Sequence, residues 1–67
     1  MDTTIVNTLK SNRDPLTVKS LAKVLGVSGR SVYRLVEGER IPYFRIEASI
    51  RFDPVAVSKW LEEKMVA

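Results

Sequence analysis

Two short runs of apolar residues at helical spacing lie between residues 16 and 42, and Leu25-Gly26-Val27-Ser28 separates them. Their apolar positions are Val18, Leu21, Ala22 and Leu25 in the first run and Val32, Leu35 and Val36 in the second. Thr17 stands in an N-cap position before the first run, and Gly26 after it suits a left-handed helix end. Ser28 stands in the same position before the second run, which we expect to end at Gly38. The pattern predicts two amphipathic helices joined by a tight turn.

The second of these helices leaves one face without apolar residues. At about 100° per residue, its apolar stripe is centred opposite Arg30 and Arg34. Like charges at positions i and i+4 destabilise an isolated helix by a few tenths of a kcal/mol unless an anion lies across them. Two helices joined in this way, with cations on the second, are typical of a helix-turn-helix, which places the second helix in a DNA groove. The alternative is that both arginines only solubilise an exposed face.

Small residues occupy the first turn of the second helix. Ser28, Gly29 and Ser31 allow DNA to approach closely, and the free backbone amides there favour an anion. Ser28 could equally be only a cap, and Gly29 only a tolerated weak helix former. For Tyr33 we expect a mixed role, with its ring packed on the first helix and its hydroxyl available to a phosphate.

After Pro42 the period changes from helical to alternating, and this predicts a β-hairpin with Glu47-Ala48-Ser49 as its loop. The expected cross-strand pairs are Ile46 with Ile50, Phe44 with Phe52 and Arg45 with Arg51. In this register the apolar pairs cover the core. The two arginines lie directly opposite each other on the outer face, which is unfavourable without a nearby anion such as a DNA backbone. Alternatively, their stems shield the sheet while the charged ends stay in water.

Asp53-Pro54 predicts the start of another helix, because an N-cap residue is followed by proline at the first helical position. Trp60 lies on the apolar face of this helix together with Val57 and Leu61. We expect Trp60 to anchor the core and not to stack on a base. The predicted fold is therefore mainly α-helical with a small β-hairpin: a winged helix-turn-helix with two motif helices, a two-stranded wing and a C-terminal helix.

The first 15 residues form a separate N-terminal segment, and residues 16–67 form the predicted DNA-binding domain. Ile5, Val6 and Leu9 have helical spacing, so a short helix is expected there. Three roles stay open for it: it completes the core, pairs with another protomer or frays as terminal segments often do.

Basic residues are concentrated in the middle of the chain. Residues 16–52 carry a net charge of +4, whereas residues 1–15 are neutral and residues 53–67 carry −1. A basic middle favours a polyanionic partner, although a solvated mixed-charge surface accounts for this distribution about as well.

The chain contains no cysteine and no histidine. This excludes disulfides, thiolate or imidazole zinc sites and the usual neutral-pH general base. We expect no enzyme activity, no metal, no cofactor and no small-molecule ligand. No run approaches the roughly 20 apolar residues of a membrane span, and the N-terminus lacks the pattern of a signal peptide. We therefore expect a cytoplasmic protein that has no membrane partner.

Residues 16–64 resemble the excisionase-type DNA-binding domain, a MerR-like winged helix-turn-helix of phage and mobile-element proteins. The resemblance depends on Leu16-Thr17-Val18, Leu25-Gly26-Val27-Ser28, Ser31-Val32-Tyr33-Arg34-Leu35, Ile41-Pro42, Phe44-Arg45-Ile46, Ile50-Arg51-Phe52 and Trp60-Leu61. It implies that the second helix enters the major groove while the wing contacts the adjacent minor groove or backbone. The residues matching the DNA-binding positions are Ser28, Gly29, Arg30, Ser31, Tyr33 and Arg34 on the helix and Arg45 and Arg51 on the wing.

The sequence departs from that family pattern at two places. The glycine before Ile41-Pro42 comes one position early, at Gly38. The wing turn, which is usually glycine-rich and basic, reads Glu47-Ala48-Ser49. We therefore expect little affinity from the wing tip.

The resemblance implies double-stranded DNA as the partner and allows two biological roles. An excisionase binds repeated sites, bends DNA and helps an integrase to assemble, whereas an AlpA-like or MerR-like regulator binds a promoter. Because no effector domain, coiled coil or ligand pocket is visible, we expect the excisionase role, with cooperative self-association on DNA. An alternative of another class is a protein-interaction module whose exposed helix face binds an acidic partner; the wing arginines argue against it.

Overall fold

The computed structural model describes residues 4–65; the ends of the predicted segments 1–15 and 16–67 lie outside these residues. Its elements in chain order are α1 (Thr4–Ser11), α2 (Val18–Leu25), α3 (Gly29–Glu37), β1 (Phe44–Ile46), β2 (Ser49–Arg51) and α4 (Pro54–Lys64). The two strands form one antiparallel hairpin. The predicted mainly helical fold with a small hairpin, consistent with a winged helix-turn-helix, is confirmed. No helix within the described part of the chain has the length and apolar character needed to cross a bilayer.

Side-chain caps define the starts of the two motif helices. The Thr17 hydroxyl accepts a hydrogen bond from the Ser20 amide at 3.1 Å, and the Ser28 hydroxyl accepts one from the Ser31 amide at the same distance. Gly26 ends α2 at φ +72°, in the left-handed region. The Val27 amide then donates to the Ala22 carbonyl at 3.0 Å, as in a Schellman motif. These local bonds hold the tight turn that joins α2 to α3.

The left-handed residue directly follows the last helical residue in α2, whereas in α3 it is the second residue after the helix end. Gly38 follows the last helical residue, as predicted, but its φ is −84°. Glu39 takes the left-handed conformation instead, at φ +52°. The Glu39 and Arg40 amides donate to the carbonyls of Val36 and Leu35 at 3.0 and 2.9 Å, which completes a Schellman motif. The glycine therefore stands one residue before the position that needs it.

We expect Glu39→Gly to raise the free energy of unfolding by about 0.5–1 kcal/mol. Glycine removes a left-handed strain of about 1–2 kcal/mol, and part of this gain is offset by the greater freedom of glycine in the unfolded chain. Urea denaturation followed by circular dichroism measures the change. Glu37→Gly is the control, because the same replacement at the last helical residue of α3 should destabilise by up to about 1 kcal/mol. A loss of stability in Glu39→Gly would contradict the prediction.

A continuous core connects the helices with the end of the hairpin. Its members are Leu9, Leu16, Leu21, Ala22, Val32, Val36, Ile41, Phe52 and Val57. Phe52 is the largest of the fully buried side chains. Its backbone exchanges two 2.9 Å hydrogen bonds with that of Leu16, which ties the segment before α2 to the end of β2. Trp60 packs against this core while half-buried, and its indole N–H donates to the Arg40 carbonyl.

The N-terminal helix α1 packs mainly on α4 and also contacts α2. Val6 and Leu9 are buried on its inner face. At the surface, Lys10 Nζ lies 2.9 Å from Glu62 Oε1 on α4. Leu9 belongs to the core, so α1 contributes to it, which is one of the three roles left open by the sequence.

The hairpin register differs by one residue from the prediction. The turn consists of Glu47 and Ala48 alone, and the pairs are Phe44–Arg51, Arg45–Ile50 and Ile46–Ser49. The predicted three-residue loop and the predicted Arg45–Arg51 pair are therefore wrong. Glu47 takes φ +55°, a conformation that a two-residue hairpin turn requires at its first central residue.

Contacts distant in the chain account for this register. Phe52 is held by its backbone bonds to Leu16, and Ile41 before β1 is buried in the core. These contacts position both ends of the hairpin, so the turn must adopt the geometry that joins them. A shift of one residue exchanges the faces of a strand. Consequently Phe44 and Ile46, which were expected to cover the core, are 36% and 57% exposed on the opposite face from Ile50.

Candidate nucleic-acid interface

The open face of α3 carries two arginines that form no ion pair with the described residues. Val32 and Val36 bury the inner side of the helix, and α3 packs on α2. Arg30 and Arg34 are both exposed, as the sequence predicted from the apolar stripe. The ion pair found within residues 4–65 is Lys10–Glu62, so neither arginine is neutralised by a described carboxylate. Two adjacent, uncompensated guanidinium groups can bind phosphate or a guanine edge.

In the first turn of α3, the side chains of Ser28 and Ser31 form hydrogen bonds within the turn. The Ser28 and Ser31 hydroxyls lie 3.1 Å apart, and Ser28 also accepts from the Ser31 amide. Gly29 is half-buried, and a Cβ at this position would lie 3.9 Å from Val18 Cγ1, an ordinary contact distance. Ser28 therefore acts as a cap, and Gly29 lies against α2 and not on the face of Arg30 and Arg34.

Tyr33 lies at the boundary between α3 and the wing. Its side chain is 49% exposed and lines a cleft with the first turn of α2 and with residues 48–51 of the hairpin. Half of the residue is thus covered by the fold, while the rest is accessible. This placement suits the mixed role that was expected for it, since the ring can pack while the phenol reaches a ligand.

The structure separates the two wing arginines. Arg51 is half-buried, lines the cleft beside Tyr33, and donates from Nη1 to the Ile50 carbonyl at 2.8 Å. Arg45 pairs with Ile50 and so lies on the other face of the hairpin, with its guanidinium carbon 5.9 Å from the centre of the Tyr43 ring. Arg51 therefore joins Tyr33 at one surface, and Arg45 does not.

The sequence reasoning missed Lys19 as a candidate site residue. Lys19 is exposed in the first turn of α2 and lines the same cleft as Tyr33 and Arg51. The signal that could have found it is its position, because the first helix of a helix-turn-helix crosses the DNA backbone. Among residues 4–65, no group of three acidic side chains is arranged to hold a metal ion.

Comparison with known families agrees with this arrangement. Residues 15–65 match a family model described as a helix-turn-helix domain, which spans more than half of the chain and leaves α1 outside. Searches of curated proteins and of solved structures gave no match. The matched segment contains α2, α3, the hairpin and α4. The chain therefore belongs to the helix-turn-helix domain family and is a DNA-binding domain of that family.

Proposed function

We propose that this protein binds double-stranded DNA sequence-specifically, with α3 in the major groove and the hairpin beside it as a MerR-like wing. The observation that carries the proposal is the pair of exposed arginines on α3, opposite its buried stripe and without an ion-pair partner among residues 4–65. Arginine reads guanine through two parallel hydrogen bonds, and the major groove is wide enough to admit an α-helix. Arg30, in the first turn, is assigned to base contact and Arg34, one turn later, to base or phosphate.

The other candidate residues support this contact in different ways. Ser28 and Ser31 permit a close approach of DNA to the start of α3, whereas Gly29, also a candidate from the sequence, lies against α2. Tyr33 and Arg51 contact the backbone, and Arg45 adds positive charge on the face of the wing that carries Ile50. Phosphate contacts position a protein on DNA, and base contacts specify the sequence. In this proposal the protein acts by binding alone and not as an enzyme.

We further propose an excisionase role, in which the protein bends its site and assists an integrase. The support for this role is the resemblance of residues 16–64 to excisionase-type domains. A nine-residue α3 spans few base pairs, so useful specificity requires neighbouring sites and cooperative self-association. Because this scaffold also serves transcription, the arrangement of the sites is the informative observable.

Selection of bound sequences from a random duplex pool at near-physiological salt tests the proposal, followed by affinity measurements on the enriched duplex and on a scrambled duplex. We expect a short motif repeated at a constant spacing. One enriched motif without a repeat would favour a promoter-binding regulator over an excisionase. Weak binding without enrichment, lost with modest added salt, would contradict sequence-specific binding and favour a protein-interaction module.

Arg30→Ala is expected to weaken binding to the enriched duplex by about 10- to 100-fold and to change binding to the scrambled duplex much less. The loss corresponds to about 1–3 kcal/mol for a bidentate arginine–base contact. Fluorescence anisotropy on both duplexes measures it. Arg13→Ala, which removes an exposed arginine outside α3 and the hairpin, is the control and should keep the sequence preference. Equal losses on the two duplexes would show that Arg30 contacts only the backbone.

A further inference from the structure

A cleft of about 430 Å³ lies between α3 and the wing. Three parts of the chain enclose it: the first turn of α2, Tyr33 on α3, and residues 48–51 at the turn and second strand of the hairpin. Arg51 and Ser49 lie on one face of the second strand, and Ile50 between them also lines the cleft. A cleft of this kind brings together residues that are more than 30 positions apart in the chain.

The chemistry of the cleft suits a single anion with several oxygen atoms. Lys19 and Arg51 line it from two different elements, and none of its lining residues is acidic. Neither cation forms an ion pair with a residue in the described range. The Tyr33 and Ser49 hydroxyls add neutral donors. A phosphate diester, with its single negative charge and two free oxygens, matches two cations and two hydroxyl groups.

Arg51 is already partly ordered for such a contact. Its Nη1 donates to the Ile50 carbonyl at 2.8 Å, and the side chain is half-buried. An arginine has five N–H donors, so the remaining donors stay available to an anion. A side chain held in place before binding loses less conformational entropy when the ligand arrives.

We propose that this cleft binds one phosphate of the DNA backbone and that Lys19, Tyr33 and Arg51 thereby set the position of α3 in the groove, independently of base sequence. The proposal rests on the DNA binding proposed above. Tyr33 belongs to the same helix as Arg30 and Arg34, so a phosphate beside it lies at the edge of the groove that α3 enters. Arg45, on the other face of the hairpin, takes no part in this site.

A methylphosphonate scan of the enriched duplex tests the site, because each substitution removes the charge of one phosphate. The proteins compared are wild type, Lys19→Ala and Arg51→Ala, with affinities measured by anisotropy at several salt concentrations. Both variants should bind the enriched and the scrambled duplex about tenfold more weakly. The slope of log affinity against log salt should become shallower by about 1 in each, as expected for one lost phosphate contact.

One methylphosphonate position should weaken the wild type about tenfold and each variant less than twofold. Lys23→Ala is the matched control, since Lys23 is exposed one turn later on α2 and outside the cleft, and it should keep the full tenfold effect. Lys19 is exposed, so its replacement tests the site even if Arg51→Ala disturbs the hairpin. If every methylphosphonate acts equally on wild type and both variants, the cleft site is refuted while DNA binding stands. If wild type binds neither duplex, the proposed function fails as well.

Discussion

Phe52→Ala is expected to lower the free energy of unfolding by about 3–5 kcal/mol, the usual cost of removing a buried phenylalanine from a core. Phe52 is 0% exposed and is the largest of the fully buried side chains. Its position next to Leu16 connects the hairpin to the helices. At roughly 0.05–0.15 kcal/mol per residue, the total stability of a chain of 67 residues is about 3–10 kcal/mol. The substitution should therefore remove a third or more of the stability, measured by urea denaturation with circular dichroism.

Phe44→Ala provides a control that also tests the hairpin register. Phe44 is 36% exposed and lies on the outer face, paired with Arg51. We expect this substitution to cost about 1–2 kcal/mol, less than Phe52→Ala, because Phe44 is already partly exposed to water and less buried apolar surface is lost. If the register predicted from the alternating sequence were correct, Phe44 would face Phe52 in the core. The two variants would then lose similar amounts of free energy of unfolding. Such a result would contradict the observed register.

Leu9→Ala is expected to lower the free energy of unfolding by about 2–4 kcal/mol. Leu9 on α1 is 0% exposed and belongs to the same core cluster as residues of α2, α3 and α4. Removal of the leucine side chain leaves a cavity that the small core can only partly close. Urea denaturation by circular dichroism gives the loss. The result would show that α1, although outside the matched family segment, stabilises the whole domain.

The control for Leu9→Ala is Lys10→Ala on the same helix. It removes the ion pair with Glu62, in which both side chains are exposed to solvent. Exposed ion pairs contribute about 0–1 kcal/mol, so this variant should remain close to wild type. A Leu9→Ala variant as stable as Lys10→Ala would mean that α1 does not pack on α4 in solution.

The helical part of the fold was predictable from short-range signals. Thr17 and Ser28 each place an oxygen acceptor next to free amides of the following turn, and Gly26 tolerates the left-handed end of α2. The exposed position of Arg30 and Arg34 followed from the spacing of Val32 and Val36 within the same helix. Each of these features depends on residues within a few positions of one another, so periodicity and capping rules are sufficient.

The hairpin register was not predictable in this way. The alternation of Phe44, Ile46, Ile50 and Phe52 favours a register in which all four residues face one side. In the structure, two of them lie on each face. The absence of glycine in the turn also concealed the two-residue loop, which uses Glu47 at a positive φ. A single residue with left-handed strain costs about 1–2 kcal/mol, which long-range burial can offset.

The sequence by itself therefore determined the helix starts and ends of the motif, the arginines on the open face of α3 and the presence of a hairpin, because local spacing and capping decide these features. Only the tertiary structure decided the strand pairing, the separation of Arg45 from Arg51 and the cleft that brings Lys19, Tyr33 and Arg51 together. These features depend on contacts such as Leu16–Phe52, between residues far apart in the chain. A one-residue shift in such a contact changes which side chains share a surface, and no local pattern records it.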